Sequence, residues 1–184
     1  MDIIVLCVDQ FKKVDKLNND FYVKKISKRF SKKSFCCDAF KILNSIKGVL
    51  YEIYSYDSYI KKNIDVGVFD IFEATSQKEP EYIIKDEFDE LFEQDNGIDN
   101  YWSVRFKYNM KIKFKNLIDN IIECSKIKTC IILIRESLET PEKVVGVISL
   151  NKFCDLVDNS DIYGNILYIV SKKEKEDNYW EINL

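Results

Sequence analysis

Residues 129–136 read TCIILIRE and residues 143–150 read KVVGVISL, two runs that are dense in β-branched side chains. Isoleucine and valine favour extended backbone, and a continuous apolar run is typical of a strand that is buried on both faces of a sheet. Pro141 lies between the two runs and indicates a turn. The sequence therefore predicts two central strands, with the rest of the chain arranged around them.

Helical patterns flank the two runs. Residues 113–127 read KFKNLIDNIIECSKI, and their apolar side chains recur at helical spacing. Residues 151–159, NKFCDLVDN, predict a shorter helix, and residues 166–173, ILYIVSKK, predict another strand. YWEINL at 179–184 is a candidate terminal strand. The apolar stripe of the longer helix consists of Phe114, Leu117, Ile118, Ile121 and Ile122.

The N-terminal part begins with an apolar run, DIIVLCV at residues 2–8, which predicts a buried first strand. Residues 33–49, KSFCCDAFKILNSIKGV, carry apolar side chains on one helical stripe. Gly48 lies near the end of this segment, where a glycine commonly ends a helix. We therefore expect a strand followed by a helix that stops at this glycine.

The middle of the chain predicts three more strands. Residues 50–59 and 64–72 alternate apolar and polar side chains, and the short KKN stretch between them indicates a hairpin. WSVRFKY at 102–108 reads as a further strand. Because strands and helices are intermingled, we predict one α+β (or α/β) domain over residues 1–184, with a mixed central sheet and helices packed on it.

Composition indicates a soluble, cytoplasmic chain. The start lacks the basic residues and the longer apolar core of a secretory signal, and no apolar run is long enough to span a bilayer. Six cysteines lie in apolar segments without a C-x-x-C pair, which favours reduced, buried thiols over disulfides or a zinc site. We expect no membrane association.

The chain contains no histidine. Histidine is the side chain whose ordinary pKa lies closest to neutrality, so the usual Ser-His, Cys-His and imidazole-metal machinery is excluded. No phosphate loop, dinucleotide fingerprint, nucleophile elbow or calcium loop is present either. We therefore expect a protein that is not an enzyme and carries no cofactor and no resident metal.

Charge is strongly segregated along the chain. Residues 12–33 carry nine basic and two acidic side chains, a net charge of +7, whereas residues 79–99 carry one basic and nine acidic side chains, a net charge of −8. Within the acidic segment, Ile84, Phe88 and Leu91 recur at helical spacing after Pro80. The segment therefore predicts a helix with an apolar stripe and a carboxylate face.

The carboxylate face is the leading candidate site. A solvated helix surface is the simplest interpretation, but like charges at i, i+4 destabilise a helix, and a cationic partner would relieve that cost. Tyrosines on the predicted strand at 50–59 could serve as aromatic anchors. The candidate partner-binding residues are Asp86, Glu87, Asp89, Glu90, Glu93, Tyr51, Tyr54 and Tyr59.

Two alternatives use the same charged segments. The carboxylates of the acidic helix could hold a divalent cation, which leaves open an enzyme that works with carboxylates and a metal. The basic run KKISKRFSKK at residues 24–33 could contact nucleic-acid phosphates, with Phe30 for stacking. We do not expect nucleic acid to be the partner, because the whole chain is acidic and contains only three arginines.

Residues 113–157 resemble one cystathionine β-synthase (CBS) module, with a helix, a strand, a turn, a second strand and a closing helix. The resemblance implies adenine-nucleotide binding through a Gly-h-h-[Ser/Thr]-x-x-Asp signature, which residues 146–149, GVIS, match with Gly146 and Ser149. Lys152 stands where that family has aspartate. A nucleotide-sensing regulatory domain is the alternative that follows.

As a class, the chain is similar to the immunity proteins of bacterial contact-dependent and polymorphic toxin systems, which are small, acid-biased and without active-site signatures. This similarity implies a protein that neutralises a cognate toxin, often a basic nuclease, by covering its active site. The leading hypothesis is therefore an immunity protein whose partner is a basic toxin domain and whose acidic face occludes it.

Overall fold

The computed structural model describes residues 2–14, 17–18, 20–26, 38–55, 72–78, 101–135 and 143–173. The strands are β1 (Asp2–Val8), β2 (Leu17–Asn18), β3 (Phe21–Lys25), β4 (Gly48–Ser55), β5 (Phe72–Lys78), β6 (Tyr101–Phe106), β7 (Thr129–Arg135), β8 (Lys143–Ser149), β9 (Ile162–Tyr163) and β10 (Ile166–Ser171). The helices are α1 (Asp38–Ser45), α2 (Tyr108–Glu123) and α3 (Leu150–Asn159).

The main sheet has seven strands in the order β2-β3-β4-β1-β7-β10-β8. Every neighbouring pair is antiparallel except β10 and β8, which are parallel. The parallel pair needs a long crossover, which α3 supplies between β8 and β10. The fold is therefore α+β with a mixed sheet and helices packed on it, as the sequence predicts.

The strands in the middle of the sheet are apolar on both faces. In β1, Ile3 and Val5 belong to one buried cluster, and Ile4 and Leu6 belong to a second cluster on the opposite face. Consecutive side chains of a strand point to opposite faces, so such a strand must be covered on both sides. The apolar runs that predict β1 and β7 reflect this double burial.

The prediction of two central strands is correct for β7 and wrong for β8. In the described sheet β8 is an edge strand, because β10 lies between it and β7. Apolar periodicity identifies strands but carries no information about their order. Within β8, Val145 is buried, whereas Val147 and Ile148 are only partly buried.

Helices cover the two faces of the sheet unequally. All five predicted stripe residues of α2 are buried, and they pack with Phe153, Leu156 and Val157 of α3 in the larger cluster. On the opposite face, Ile42 and Leu43 of α1 pack in the cluster that contains Leu6 and Leu133. The order is therefore α1, then sheet, then α2 with α3.

A smaller antiparallel sheet, β5-β6-β9, adjoins α2. The rings of Phe106 in β6 and Phe114 in α2 stack with centroids 4.6 Å apart. β6 confirms the strand predicted at 102–108, whereas β5 begins only at Phe72, the last residue of the strand predicted at 64–72. Residues 56–71, which include most of the predicted hairpin, lie outside the described residues.

Gly48 does not end a helix, contrary to the prediction. Helix α1 ends at Ser45, and Gly48 is the first residue of β4, where it pairs with Val8 of β1. A Cβ atom at this position would collide with the carbonyl oxygen of Cys7. The glycine is therefore explained by close approach of two backbones rather than by helix termination.

Across the described ranges, no helix combines the length and apolar character that crossing a lipid bilayer requires.

Candidate functional site

The loop that follows β1 is held by backbone hydrogen bonds to two other segments. Asp9 N donates to the carbonyl of Lys47 at 2.9 Å, and Phe11 N donates to the carbonyl of Cys124 at 3.1 Å. Lys126 N in turn donates to the carbonyl of Asp9 at 3.3 Å. Because Cys124 is the C-cap of α2, the loop satisfies a carbonyl that the helix itself leaves without a partner.

Gln10 fastens the same loop to β4. Its Nε2 donates to the hydroxyl of Tyr51 at 2.6 Å and to the carbonyl of Lys12 at 2.6 Å. Burial raises the pKa of Tyr51, and the hydrogen bonds with Gln10 and the Val14 backbone oppose that effect. The phenol therefore remains neutral near neutral pH and serves as a fixed hydrogen-bonding group.

A pocket of about 520 Å³ lies between this loop and strands β3 and β4. Val14 and Val23, with 4% and 3% of their surface exposed, provide buried apolar side chains in its lining. We call this pocket the basic pocket; its polar and aromatic lining consists of Gln10, Phe11, Lys12, Lys13, Lys25 and Tyr51.

Several lysines of the described surface form ion pairs, whereas the three lysines of the basic pocket form none with described residues. Lys113 pairs with Asp20 at 2.6 Å, and Lys115 pairs with Asp158 at 2.7 Å. Within the described part of the chain, no ion pair forms at the lysines of the basic pocket, and none of the residues that line it is acidic. The pocket therefore carries three positive charges that no described acidic side chain pairs with.

The ring of Phe11 is exposed at the pocket, with 56% of its surface accessible. The ammonium group of Lys128 lies 5.5 Å from the ring centroid, within cation–π range. Lys128 also pairs with Glu123 at 2.8 Å, and its hydrogen bond with that carboxylate, together with Lys172, lowers the pKa of Glu123 to about 2. An exposed aromatic ring thus lies beside three lysines that form no ion pair with the described residues.

Burial makes the described cysteines with shifted pKa values poor nucleophiles. Burial raises the pKa of Cys7 to about 12 and raises that of Cys130 well above its ordinary range, so both thiols stay protonated and unreactive. As predicted, Cys7, Cys124 and Cys130 are buried thiols, whereas Cys154 is only partly buried. Cys36 and Cys37 lie outside the described residues.

Two of the predicted tyrosine anchors have little exposed surface. Tyr51 is 6% exposed and Tyr54 is 5% exposed, and their positions three residues apart direct them to opposite faces of β4. Tyr51 reaches the basic pocket with its hydroxyl, whereas the Tyr54 ring lies 6.0 Å from the ammonium of Lys24. Neither ring presents a broad surface to a protein partner.

The acidic candidate residues and Tyr59 lie outside the described residues. The described ranges omit residues 56–71 and 79–100, and with them Tyr59 and the five carboxylates Asp86, Glu87, Asp89, Glu90 and Glu93. Among the residues that are described, no cluster of three or more histidine, cysteine, aspartate or glutamate side chains could hold a metal ion.

The CBS-like stretch contains part of α2, strands β7 and β8, and most of α3. Its strands β7 and β8 are not neighbours, because β10 pairs with both of them. Ser149 caps α3: its hydroxyl accepts a hydrogen bond from Lys152 N at 3.1 Å. Gly146 lies in β8 and is partly buried. Helix capping therefore accounts for the serine without a nucleotide.

The sequence did not predict the basic pocket. The only sequence feature that points to the pocket is the basic segment at residues 12–33. Within that segment, the sequence draws attention to the KKISKRFSKK run that begins at Lys24, as a possible contact for nucleic-acid phosphates. The pocket instead combines Lys12 and Lys13 with Lys25 and with Tyr51, which is distant in sequence. Such a combination follows from the β3–β4 pairing and could not be inferred from spacing.

Comparison with known proteins returned no match: no protein-family model, no curated protein and no solved structure is significantly similar to this chain. Function must therefore be inferred from the side chains themselves.

Proposed function

We propose that this protein is a non-enzymatic binding protein, specifically an immunity protein that binds a cognate bacterial toxin domain and occludes its active site. The observation that carries the proposal is the charge of residues 79–99, where nine acidic side chains accompany one lysine. A segment of this composition cannot neutralise its own charge, and it would attract a cationic surface over distances near the Debye length.

Acidic residues in the described strands and helices form ion pairs with nearby lysines, and the contrast with residues 79–99 supports this proposal. Glu52 pairs with Lys24 at 3.8 Å, and Glu123 pairs with both Lys128 and Lys172 at 2.8 and 2.5 Å. The framework thus neutralises these acidic groups with its own lysines, whereas residues 79–99 contain too few cations to do the same. Excess charge that is concentrated in one segment favours a role in recognition.

The proposed mechanism is electrostatic capture followed by occlusion. The carboxylates of Asp86, Glu87, Asp89, Glu90 and Glu93 would take the place of nucleic-acid phosphates on a basic nuclease. Because Tyr51 and Tyr54 are buried, their contribution to such an interface is small, and Tyr59 remains the tyrosine candidate.

Co-expression tests the proposal. The reading frames that adjoin this gene are tested for toxicity, and one that arrests growth is expressed alone, with the wild-type chain, and with the Asp86→Lys or Asp89→Lys variant. We expect growth arrest by the toxin, rescue by the wild type, and weaker rescue by both variants. Asp155→Lys is the matched control, because Asp155 is an exposed aspartate on α3 and lies outside the acidic segment.

Rescue that is equally strong with Asp86→Lys and with Asp155→Lys would remove the acidic segment from the mechanism. The lack of any toxic reading frame beside the gene would contradict the immunity function itself.

A further inference from the structure

We propose that the basic pocket binds a small phosphate-bearing molecule with a planar ring, of the size and chemistry of a mononucleotide. The lining of this site includes neither Gly146 nor Ser149, the nucleotide contacts that the CBS resemblance implies.

The charge of the basic pocket specifies an anion. Lys12, Lys13 and Lys25 line one concave site, and none of them forms an ion pair within the described residues. Ammonium groups that share a site without counter-charge repel one another, and a bound anion relieves that repulsion. A phosphate group offers several strong acceptor oxygens to such donors, and lysine binds phosphate as a point charge.

The dimensions of the basic pocket suit a small molecule. Its volume of about 520 Å³ lies in the range of about 300–1,000 Å³ that is typical of ligand sites. Val14 and Val23 line the pocket but are only 4% and 3% exposed, so the apolar surface open to a ligand is chiefly the ring of Phe11. A ligand that consists only of charge would leave this ring unused, whereas a molecule with a phosphate at one end and a ring at the other would contact both the lysines and Phe11.

Two side chains can recognise the ring of such a ligand. Phe11 is 56% exposed and held by its contact with Lys128, so it offers an aromatic face for stacking. The amide of Gln10 donates to Lys12 O and to the Tyr51 hydroxyl, which uses both of its N–H groups. Its Oε1 is then the atom that can accept a hydrogen bond from a base or a ribose hydroxyl.

The pocket is also held in shape before any ligand binds. The loop that carries Phe11 and Lys12 donates two backbone hydrogen bonds to the Cys124 carbonyl, at 3.1 and 3.4 Å. The thiol of Cys124 lies 3.7 Å from the carbonyl of Lys13. Binding to a loop that is already ordered costs less conformational entropy than binding to a mobile loop.

The test is calorimetry with the full-length protein at low salt, using adenosine monophosphate, guanosine monophosphate, adenosine, inorganic phosphate and a single-stranded oligonucleotide as probes. We expect saturable binding of at least one mononucleotide, weaker binding of inorganic phosphate, and no binding of adenosine. Replacing all three pocket lysines by glutamine should weaken mononucleotide binding by more than about tenfold, since each contact to a charged group is substantial.

The matched control replaces Lys107, Lys126 and Lys152 by glutamine. These lysines are exposed, they do not line the pocket, and their replacement changes the net charge by the same amount. We expect the control to bind as the wild type does. Phe11→Ser should weaken mononucleotide binding and leave phosphate binding unchanged, which gives a second readout that does not depend on the lysines.

Three outcomes would overturn the inference. If no mononucleotide shows saturable binding, the three lysines do not form a ligand site and only contribute positive charge near the C-terminal end of α2. Equal losses in the pocket and control variants would show nonspecific attraction. Oligonucleotide binding that strengthens with chain length, without mononucleotide binding, would indicate a polymer site instead.

Discussion

Gln10 and Tyr51 are 41 residues apart in sequence, yet the Gln10 amide donates to the Tyr51 hydroxyl at 2.6 Å. This contact connects the loop after β1 to strand β4, and both residues line the basic pocket. The shape of the pocket therefore depends on a hydrogen bond between a partly exposed side chain and a buried one.

Tyr51→Phe should loosen this connection. The substitution keeps the ring and removes the hydroxyl that Gln10 and the Val14 backbone contact. We expect a loss of about 0.5–1.5 kcal/mol in the free energy of unfolding, measured by urea titration. A double-mutant cycle with Gln10→Ala is the control: strictly additive losses would show that the two side chains are not coupled.

Phe114→Ala should be among the most destabilising single changes in α2. Phe114 is fully buried, stacks on Phe106 at 4.6 Å and meets Phe21 edge-on at 6.2 Å, so it joins the helix to both sheets. We expect a loss of about 3–5 kcal/mol in urea unfolding. Ile112→Ala on the same helix is the control, because Ile112 is 66% exposed and its change should fall within about 0.5 kcal/mol. Similar losses from both would contradict this packing.

Alkaline pH should destabilise the fold, because the buried Cys7 thiol and Tyr51 phenol keep their protons in the folded state at pH values where the unfolded chain releases them. The pKa of Cys7 is raised from 9.0 to about 12, and that of Tyr51 is raised above 10.0. Because the unfolded chain releases these protons first, stability is full below pH 9 and falls as pH rises toward the folded values.

Unfolding free energies measured from pH 8 upward under reducing conditions test this, since each proton that only the folded state retains adds a slope of about 1.4 kcal/mol per pH unit. Cys7→Ala should make the decline shallower than in the wild type. A decline with the same slope in both proteins would show that Cys7 contributes nothing to it.

Ser149→Ala tests the capping role of this residue. Loss of the hydroxyl that accepts from Lys152 N should lower the free energy of unfolding by about 1 kcal/mol. Ser149→Asp, which can also cap, should restore most of the stability. Calorimetry against adenine nucleotides completes the test: a loss of nucleotide binding in both variants would favour the CBS-like interpretation over simple capping.

The parts of the fold that could be predicted are those where burial leaves a periodic signature. The stripe from Phe114 to Ile122 predicted α2, and the run Cys130–Ile134 predicted β7, because each pattern records which faces are covered. The position of β8 at the sheet edge could not be predicted, since strand order depends on the crossover through α3. β5 was missed because FEATSQK has little apolar alternation.

The sequence shows only that the residues of the candidate site include part of a strongly basic segment. The lysines at residues 12, 13 and 25 were visible as a basic segment, but spacing did not show that β3 and β4 would bring Tyr51 and Gln10 beside them. The structure also shows that Tyr51 and Tyr54 are buried. A strand with apolar side chains and tyrosines on both faces does not reveal which ring faces solvent.

The most direct test of the immunity function is the rate of association between the purified chain and the toxin domain that the co-expression test identifies, followed by stopped-flow fluorescence at low and high salt. Electrostatic capture predicts that Asp86→Lys, Glu87→Lys and Glu90→Lys together slow association by more than about tenfold at low salt, with the difference shrinking as salt rises. An unchanged association rate at low salt, in a variant with the circular dichroism of the wild type, would contradict capture by the acidic segment.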